Sequence, residues 1–236
     1  MRTDGEGVQL EFVGTECLRP GVCAESWGSF RENLVGVDWP RSTLYLNIDC
    51  CPARWEPAAP RAEQVRDEAA KVFGRVLSRV CSKPSFPSAV AWGWRQPTGP
   101  EFFYLQADWV LTRPVDVRDL LSLLWSTDDG EQYEWSAVNL RAYNDNHHRV
   151  CLSPVLIKSS VAATIAEQLD DSAGPEAQMR APEFREGGRG LGEPYRSYHW
   201  PLRQDGIVVK DIGREWLKKR GIEHKGGKAF VTWQGG

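Results

Sequence analysis

The stretch Glu101–Leu111, EFFYLQADWVL, decides how the rest of the chain is read. Phe102, Phe103, Tyr104 and Leu105 are bulky and do not alternate with polar residues, the pattern of a strand buried on both faces. Gln106, Ala107, Asp108 and Trp109 follow, so a carboxylate stands at the carboxyl end of a central strand. Open α/β sheets bind ligands just beyond such ends. A lone Asp there can equally cap a helix or sit in a surface turn, and the neighbouring strands must decide between these.

Upstream, Val8 to Val13 reads as a first strand, with Gly14-Thr15-Glu16 turning the chain. The segment CAESWGSFRENL then places Trp27, Phe30 and Leu34 on one helical stripe. Thr43 to Ile48 is a second strand with Asp49 at its tip, followed by a Pro/Ala-rich linker to Pro60. An amphipathic helix over Ala62 to Phe73, a strand at Arg75 to Val80 and the helix SAVAWGWRQ lead back to Glu101, with Trp92 and Trp94 assigned to helix–sheet packing.

Downstream, Pro114 and Asp116 mark the start of a helix through DLLSLLW. Val138 to Tyr143 is a strand, Leu152 to Ile157 a short strand and turn, and Ser159 to Leu169 a helix. Between Asp170 and Tyr198 the chain is rich in Gly, Pro, Arg and Glu, with one short helix at Glu176 to Arg180; loops this long are mobile or functional. A last unit combines a strand at Gly206 to Lys210, a basic helix around Arg214 to Arg220 and a strand at Ala229 to Trp233. Strands alternating with helices predict an α/β fold, a mostly parallel sheet with helices on both faces. The expected organisation is one domain over residues 1–236, with halves 1–120 and 121–236 and a long loop at 170–198.

Composition narrows the function. A formal charge of −3 gives no general attraction to nucleic acid, although Lys218-Lys219-Arg220 with Lys225 and Lys228 offers a local basic surface. No apolar run approaches membrane-spanning length and no basic-then-apolar leader follows Met1, so a soluble, cytoplasmic protein without membrane contact is expected. The six cysteines make no CxxC pair and read as reduced, buried thiols; His147 and His148 lie in a polar turn without metal-ligand spacing. Gly14 stands alone, so the dinucleotide fingerprint is missing, and the P-loop is absent as well. What remains is a row of polar residues at successive strand ends: Thr15 and Glu16, then Asp49, then Asp108.

The ordered set CLRPGVCAESWGSFRENL, STLYLNIDCCP, KPSFPSAVAWGWRQ, EFFYLQADW, RPVDVRDLL and VVKDIGREWLKKRGI…FVTW resembles a family of small bacterial and bacteriophage glycosyltransferases with the GT-A type of fold. The resemblance runs from about Thr15 to Trp233. It implies a Rossmann-like fold that binds a nucleotide-sugar donor, most simply a UDP-sugar. The loop Thr15–Arg19, with Glu16 inside it, would hold the nucleotide. Asp49 would bond the base or ribose, and Lys83 and Ser85 would lie beside the nucleotide. Asp108 would match the final acid of the family's aspartate-any-aspartate motif, which binds Mn²⁺ or Mg²⁺ on the donor diphosphate.

That chemistry has a reason. Breaking the sugar–diphosphate bond leaves negative charge on phosphate oxygens, and a hard cation with oxygen ligands stabilises it. This chain departs from the motif, because Gln106-Ala107-Asp108 supplies one carboxylate. His224, in EHKGGK, is a candidate further ligand, or else a surface histidine. An inverting enzyme also needs a carboxylate to accept the acceptor's proton. Glu176 is the first candidate and Glu183 the second, each also readable as a solvated acid at a helix start. Asp211 and Arg214 read either as a helix cap with a local ion pair or as placing Arg214 or Lys210 beside the donor phosphates. Trp109, Trp135 or Trp200 could stack on a sugar ring. The long, Arg-rich stretch from Asp170 to His199 favours a macromolecular acceptor, a modified pyrimidine in DNA or a virion protein, with cell-wall and small-molecule acceptors left open. Two other readings stay open: a nucleotide-sugar-binding module without catalysis, and a nucleotidyltransferase.

Overall fold

The computed structural model describes residues 7–50, 61–126, 135–141, 150–180, 190–192, 195–200 and 206–219. The first half alternates as the sequence pattern demands: β1 (Glu11–Cys17), α1 (Pro20–Asn33), β2 (Leu34–Val35), β3 (Thr43–Asp49), α2 (Ala62–Ala70), β4 (Arg75–Cys81), α3 (Phe86–Gly93) and β5 (Glu101–Gln106). There follow β6 (Trp109–Leu111), β7 (Val115–Asp116), α4 (Val117–Trp125), β8 (Ala137–Asn139), β9 (Val155–Lys158), α5 (Ser159–Ala166), α6 (Pro175–Arg180), β10 (Ser197–His199), β11 (Val209–Asp211) and α7 (Gly213–Lys219).

Seven strands form the central sheet in the order β10-β8-β9-β5-β1-β3-β4. Neighbours from β5 to β4 are parallel, as are β10 and β8, while β9 runs antiparallel to both β5 and β8. The sheet is therefore mostly parallel, as expected. Its central strands are buried on both faces, which the apolar runs of β3 and β5 require.

Alternate residues feed two cores. On one face Phe12, Leu44, Leu46, Phe103 and Leu105 meet Trp27 and Phe30 of α1, Val65 of α2 and Leu120 of α4. On the other, Val13, Tyr45, Phe102 and Tyr104 pack with Val90 and Trp94 near α3 and Ile165 of α5. Trp94 is buried in ring contact with Phe102 and Tyr104, whereas Trp92 keeps part of its surface and carries the Arg79 guanidinium 4.9 Å from its ring.

The first strand departs from expectation. It runs on to Cys17, so Thr15 and Glu16 lie inside the sheet and not in a turn. Gly14 sits within the strand because a Cβ there would come 3.2 Å from Leu46 Cδ1. The two polar residues after it are tolerated because β5 and the residues just past it supply partners. Smaller shifts follow from capping: α3 begins at Phe86, two residues early, because Ser85 accepts from the Ser88 amide and so makes the N-cap. The strand expected at Val138 to Tyr143 is described as Ala137–Asn139, and residues 142 and 143 lie outside the described residues, as do His147 and His148 and the closing strand at Ala229 to Trp233. Among the described residues no helix is long and apolar enough to cross a membrane, and Cys17, Cys23, Cys50, Cys81 and Cys151 are free thiols.

Candidate functional site at the carboxyl ends of the parallel strands

Each parallel strand changes character as it approaches its carboxyl end. On the face that packs α3, Val13 gives way to Thr15 and Cys17, Tyr45 to Asn47 and Asp49, Leu77 to Arg79 and Cys81, and Tyr104 to Gln106. Register aligns these changes: Thr15 lies beside Asn47 and Gln106, Asn47 beside Arg79, and Asp49 between Cys17 and Cys81. One polar end therefore spans four strands. Within it Thr15 Oγ1 and Tyr104 Oη share a buried hydrogen bond of 2.7 Å, and burial pushes the Tyr104 hydroxyl well above its ordinary range, keeping it protonated.

Asp49 is held by donors. Asn47 Nδ2 donates to its Oδ1 at 2.9 Å. Burial raises its carboxyl, with the Asn47 bond, the Arg79 charge and the Ser85 amide pulling the other way. Ser85 itself spends its hydroxyl on the Ser88 amide and on the Asp171 carboxylate, while Lys83 is exposed nearby in sequence.

Glu16 belongs to the opposite face. Its side chain has no exposed surface, so the carboxylate expected beside a nucleotide is turned into the protein. Oε1 accepts from the Ala107 amide at 2.6 Å, Oε2 faces Arg19 Nη2 at 4.0 Å, and the Cys23 thiol lies 3.8 Å away. Burial drives its carboxyl well above the usual range, against the opposing pull of Arg19. The buried acid thus grips the amide of the residue just before Asp108.

Asp108 is reached from two further sides. Helix α1 pins the segment after it: Ser26 Oγ donates to the Trp109 carbonyl at 2.6 Å, the Leu111 amide donates to Ser29 Oγ at 2.9 Å, and Asn33 Nδ2 donates to the Leu111 carbonyl at 3.1 Å. Strand β11 pairs antiparallel with β6 and sets Asp211 opposite Trp109. The Ile212 amide then donates to the Asp108 carbonyl at 2.7 Å. Gly213 lies so close that a Cβ would fall 2.6 Å from Asp108 Cβ and 2.9 Å from Oδ2. Asp108 keeps some solvent exposure within dense surroundings, and burial raises its carboxyl; Arg19 opposes this, while Asp211 and Glu176 add to it.

Arg19, immediately before α1, is the central cation. Burial works against its charge, but Asp108, Cys17 and Glu16 more than offset that and hold it protonated. Its guanidinium lies 5.8 Å from the Trp216 ring centroid, and Nε is buried without a hydrogen-bond partner among the described residues.

The structure therefore brings Thr15, Glu16, Arg19, Asp108 and Asp211 to one end of the sheet, with Asp49 on the next strand and Glu176 near enough to act on both Tyr104 and Asp108. Glu176 stands in the first turn of α6, 46% exposed and 3.9 Å from Arg180. Asp211 Oδ1 accepts from the Gly213 amide at 3.0 Å, which is a helix cap, and it faces the candidate acid as well. Lys210 pairs with Glu215 at 2.8 Å in solvent. Arg214 falls in α7, but its side chain, like the whole of Glu183 and His224, lies outside the described residues. Trp109 takes the Arg141 guanidinium 5.2 Å from its ring, and Trp135 meets Tyr198 edge-on at 5.1 Å.

Sequence reasoning missed Asn47, Arg79 and Tyr104 as members of this end. For Asn47 a signal existed, since it stands two residues before Asp49 and must share its face. For divalent metal, no three His, Cys, Asp or Glu side chains among the described residues converge as a ligand set. Magnesium and manganese on a diphosphate need only one or two protein carboxylates besides phosphate oxygens and water, and Asp108 fits that lesser demand.

No protein-family model matches the chain, and no curated protein matches it. Solved structures do. A mannosyltransferase, PcManGT from Pyrobaculum calidifontis, in complex with GDP-Man and Mn²⁺, matches 84% of this chain and 56% of its own at a TM-score of 0.51 and 14% identity. S. aureus TarS matches 86% of this chain and 36% of its own, with a TM-score of 0.54 and 6% identity. HddC from Yersinia pseudotuberculosis matches 90% of this chain and 98% of its own, with a TM-score of 0.51 and 10% identity. The chain spans about half the length of the mannosyltransferase and about a third of TarS. At these identities what is shared is the fold, a GT-A-like α/β architecture.

Proposed function

We propose that this chain is a glycosyltransferase that moves a sugar from a nucleotide-diphosphate donor to an acceptor hydroxyl. One observation carries the reading: Asp49 ends β3 and Asp108 follows β5, the two strands that flank β1 in one parallel sheet, and Arg19 at the start of α1 lies in the field of Asp108. That layout suits a donor lying across the strand ends, its base or ribose at Asp49 and its diphosphate at Arg19 and Asp108. The similarity of fold to a mannosyltransferase bound to GDP-Man supports the donor class, and a UDP-sugar is our first choice.

In the proposed reaction the acceptor oxygen attacks the anomeric carbon as the bond from that carbon to the diphosphate oxygen breaks. Both electrons of the broken bond leave with the diphosphate. Arg19, kept cationic by the surrounding acids, stabilises that charge. A divalent cation held by Asp108 would supply further charge stabilisation when bound. Glu176, in the inverting form of the reaction, takes the proton from the acceptor hydroxyl. Glu16 holds the Ala107 amide and so keeps Asp108 in place, without touching substrate. The Arg-rich length between Asp170 and His199 suits a macromolecular acceptor, such as a modified pyrimidine in DNA or a virion protein.

A thermal-stability screen of UDP-, GDP- and TDP-sugars, with and without Mn²⁺ and with Asp108→Ala as control, tests the reading. A true donor near 100 times its dissociation constant adds about 2.7 kcal/mol. Melting profiles that no sugar nucleotide changes would contradict the proposal.

A further inference from the structure

Helix α6 has six residues, too few to persist by its own backbone bonds, so it is held from outside. Pro175, Gln178 and Met179 form its buried face, and Met179 joins the core that contains Val90, Trp94 and Tyr104. Glu176 stands on the outer side, half-exposed, on a helix packed against α3.

Gln178 holds the amino side of this helix. Its buried side-chain amide uses both amine hydrogens and the oxygen. Nε2 donates to the carbonyls of Asp170 and Ala173, each at 2.6 Å, and Oε1 accepts from the Asp170 amide at 3.2 Å. These bonds close residues 170–174 into a turn, which Asp170 Oδ1 tightens by accepting from the Ser172 amide at 2.9 Å. The first helical bonds start from the same turn: the Ala177 and Gln178 amides donate to the Gly174 carbonyl at 2.9 and 3.1 Å. A second tie joins the turn to the cap of α3, because the Asp171 carboxylate accepts from the Ser85 hydroxyl. At the far end, the Leu191 and Gly192 amides donate to the Gln178 and Met179 carbonyls at 3.0 and 3.1 Å. Gly190 is required there, since a Cβ would run into the Met179 carbonyl. None of these bonds involves the Glu176 side chain, yet together they fix the turn of helix that carries it. Its own ion pair with Arg180, at 3.9 Å and open to solvent, contributes little to its aim.

We infer that Gln178 is a positioning residue for sugar transfer: it closes the 170–174 turn onto α6, with Asp171 tying that turn to α3, and so sets Glu176 where the acceptor hydroxyl must lie. This deepens the proposed function and rests on its assignment of Glu176 as the base. Gln178 is buried behind the helix and acts through Glu176 without touching substrate.

Donor hydrolysis, with water in the acceptor's place, tests the inference on UDP-glucose, GDP-mannose and TDP-glucose. Gln178→Met keeps the length of the side chain and removes all three bonds. It is expected to lower the rate roughly 10- to 100-fold, the scale of a small misplacement of a reacting group, while calorimetry finds donor affinity unchanged. The deciding measurement repeats the substitution in Glu176→Gln. With no base left to position, the residual rate should change less than about twofold. Equal losses in the two backgrounds, or no loss in either, overturn the positioning role. Asp171→Ala, at an exposed site clear of both cores, is expected to lower the rate several-fold in the wild-type background only. It decides alone if Gln178→Met does not fold, and an unchanged rate overturns the inference. Full hydrolysis by Glu176→Gln, or a wild type that binds a donor and hydrolyses none, overturns the base and this inference while donor binding stands. Failure to bind any of the three donors overturns the glycosyltransferase reading as well.

Discussion

Glu16 shows how a single carboxylate can be decisive without facing a ligand. Its burial raises the folded-state value, so its contribution to stability is fully present below the unfolded carboxylate value and is lost as pH rises through the folded one. Glu16→Gln removes the titration yet still offers an oxygen to the Ala107 amide. Its melting temperature is expected to match the wild type in acid and to exceed it at neutral and alkaline pH, followed by calorimetry across that range. A difference independent of pH would contradict the assignment. Glu176 makes the opposite case, a half-exposed acid expected to act on the acceptor. Glu176→Gln should abolish sugar transfer while donor affinity by calorimetry stays unchanged, and full transfer activity would reject its role as base.

At the scale of elements, the boundaries record which signals are local. The Glu101–Gln106 strand was legible because an unbroken apolar run has few other fates, and Asp108 was legible as its sequel. The end of β1 was not. Gly14, Thr15 and Glu16 look like a turn, and only their parallel pairing with Leu46, Asn47 and Ile48 of β3 and with Leu105 and Gln106 of β5 makes them strand. The same holds for the Arg79–Asn47 contact, 32 residues apart, and for Asp211, which reads locally as a cap and is carried to Asp108 by β11 pairing with β6. The start of α3 belongs to the legible class in hindsight, because a Ser–Phe–Pro entry is a capping signature. Ser85→Ala should destabilise the fold by about 1 kcal/mol in denaturant titration. Donor affinity should not change, since the Ser85 hydroxyl is committed to Ser88 and Asp171. A selective loss of donor binding would instead place the hydroxyl on the nucleotide.

For the whole molecule, the topology explains why distant acids act together. β1 runs between β3 and β5, all three parallel, so Cys17, Asp49 and the Gln106–Asp108 segment end on the same side of the sheet. Strand β9, antiparallel beside β5, then begins the second half of the sheet and leads through α5 toward α6 and Glu176. The central claim is that Asp49 and Asp108 hold opposite ends of one donor. Calorimetry of uridine and of a UDP-sugar against wild type, Asp49→Ala and Asp108→Ala tests it most directly. Asp49→Ala is expected to weaken both ligands, and Asp108→Ala to weaken the UDP-sugar while leaving uridine unaffected. If both variants bind the UDP-sugar as tightly as the wild type does, the two acids do not share a donor.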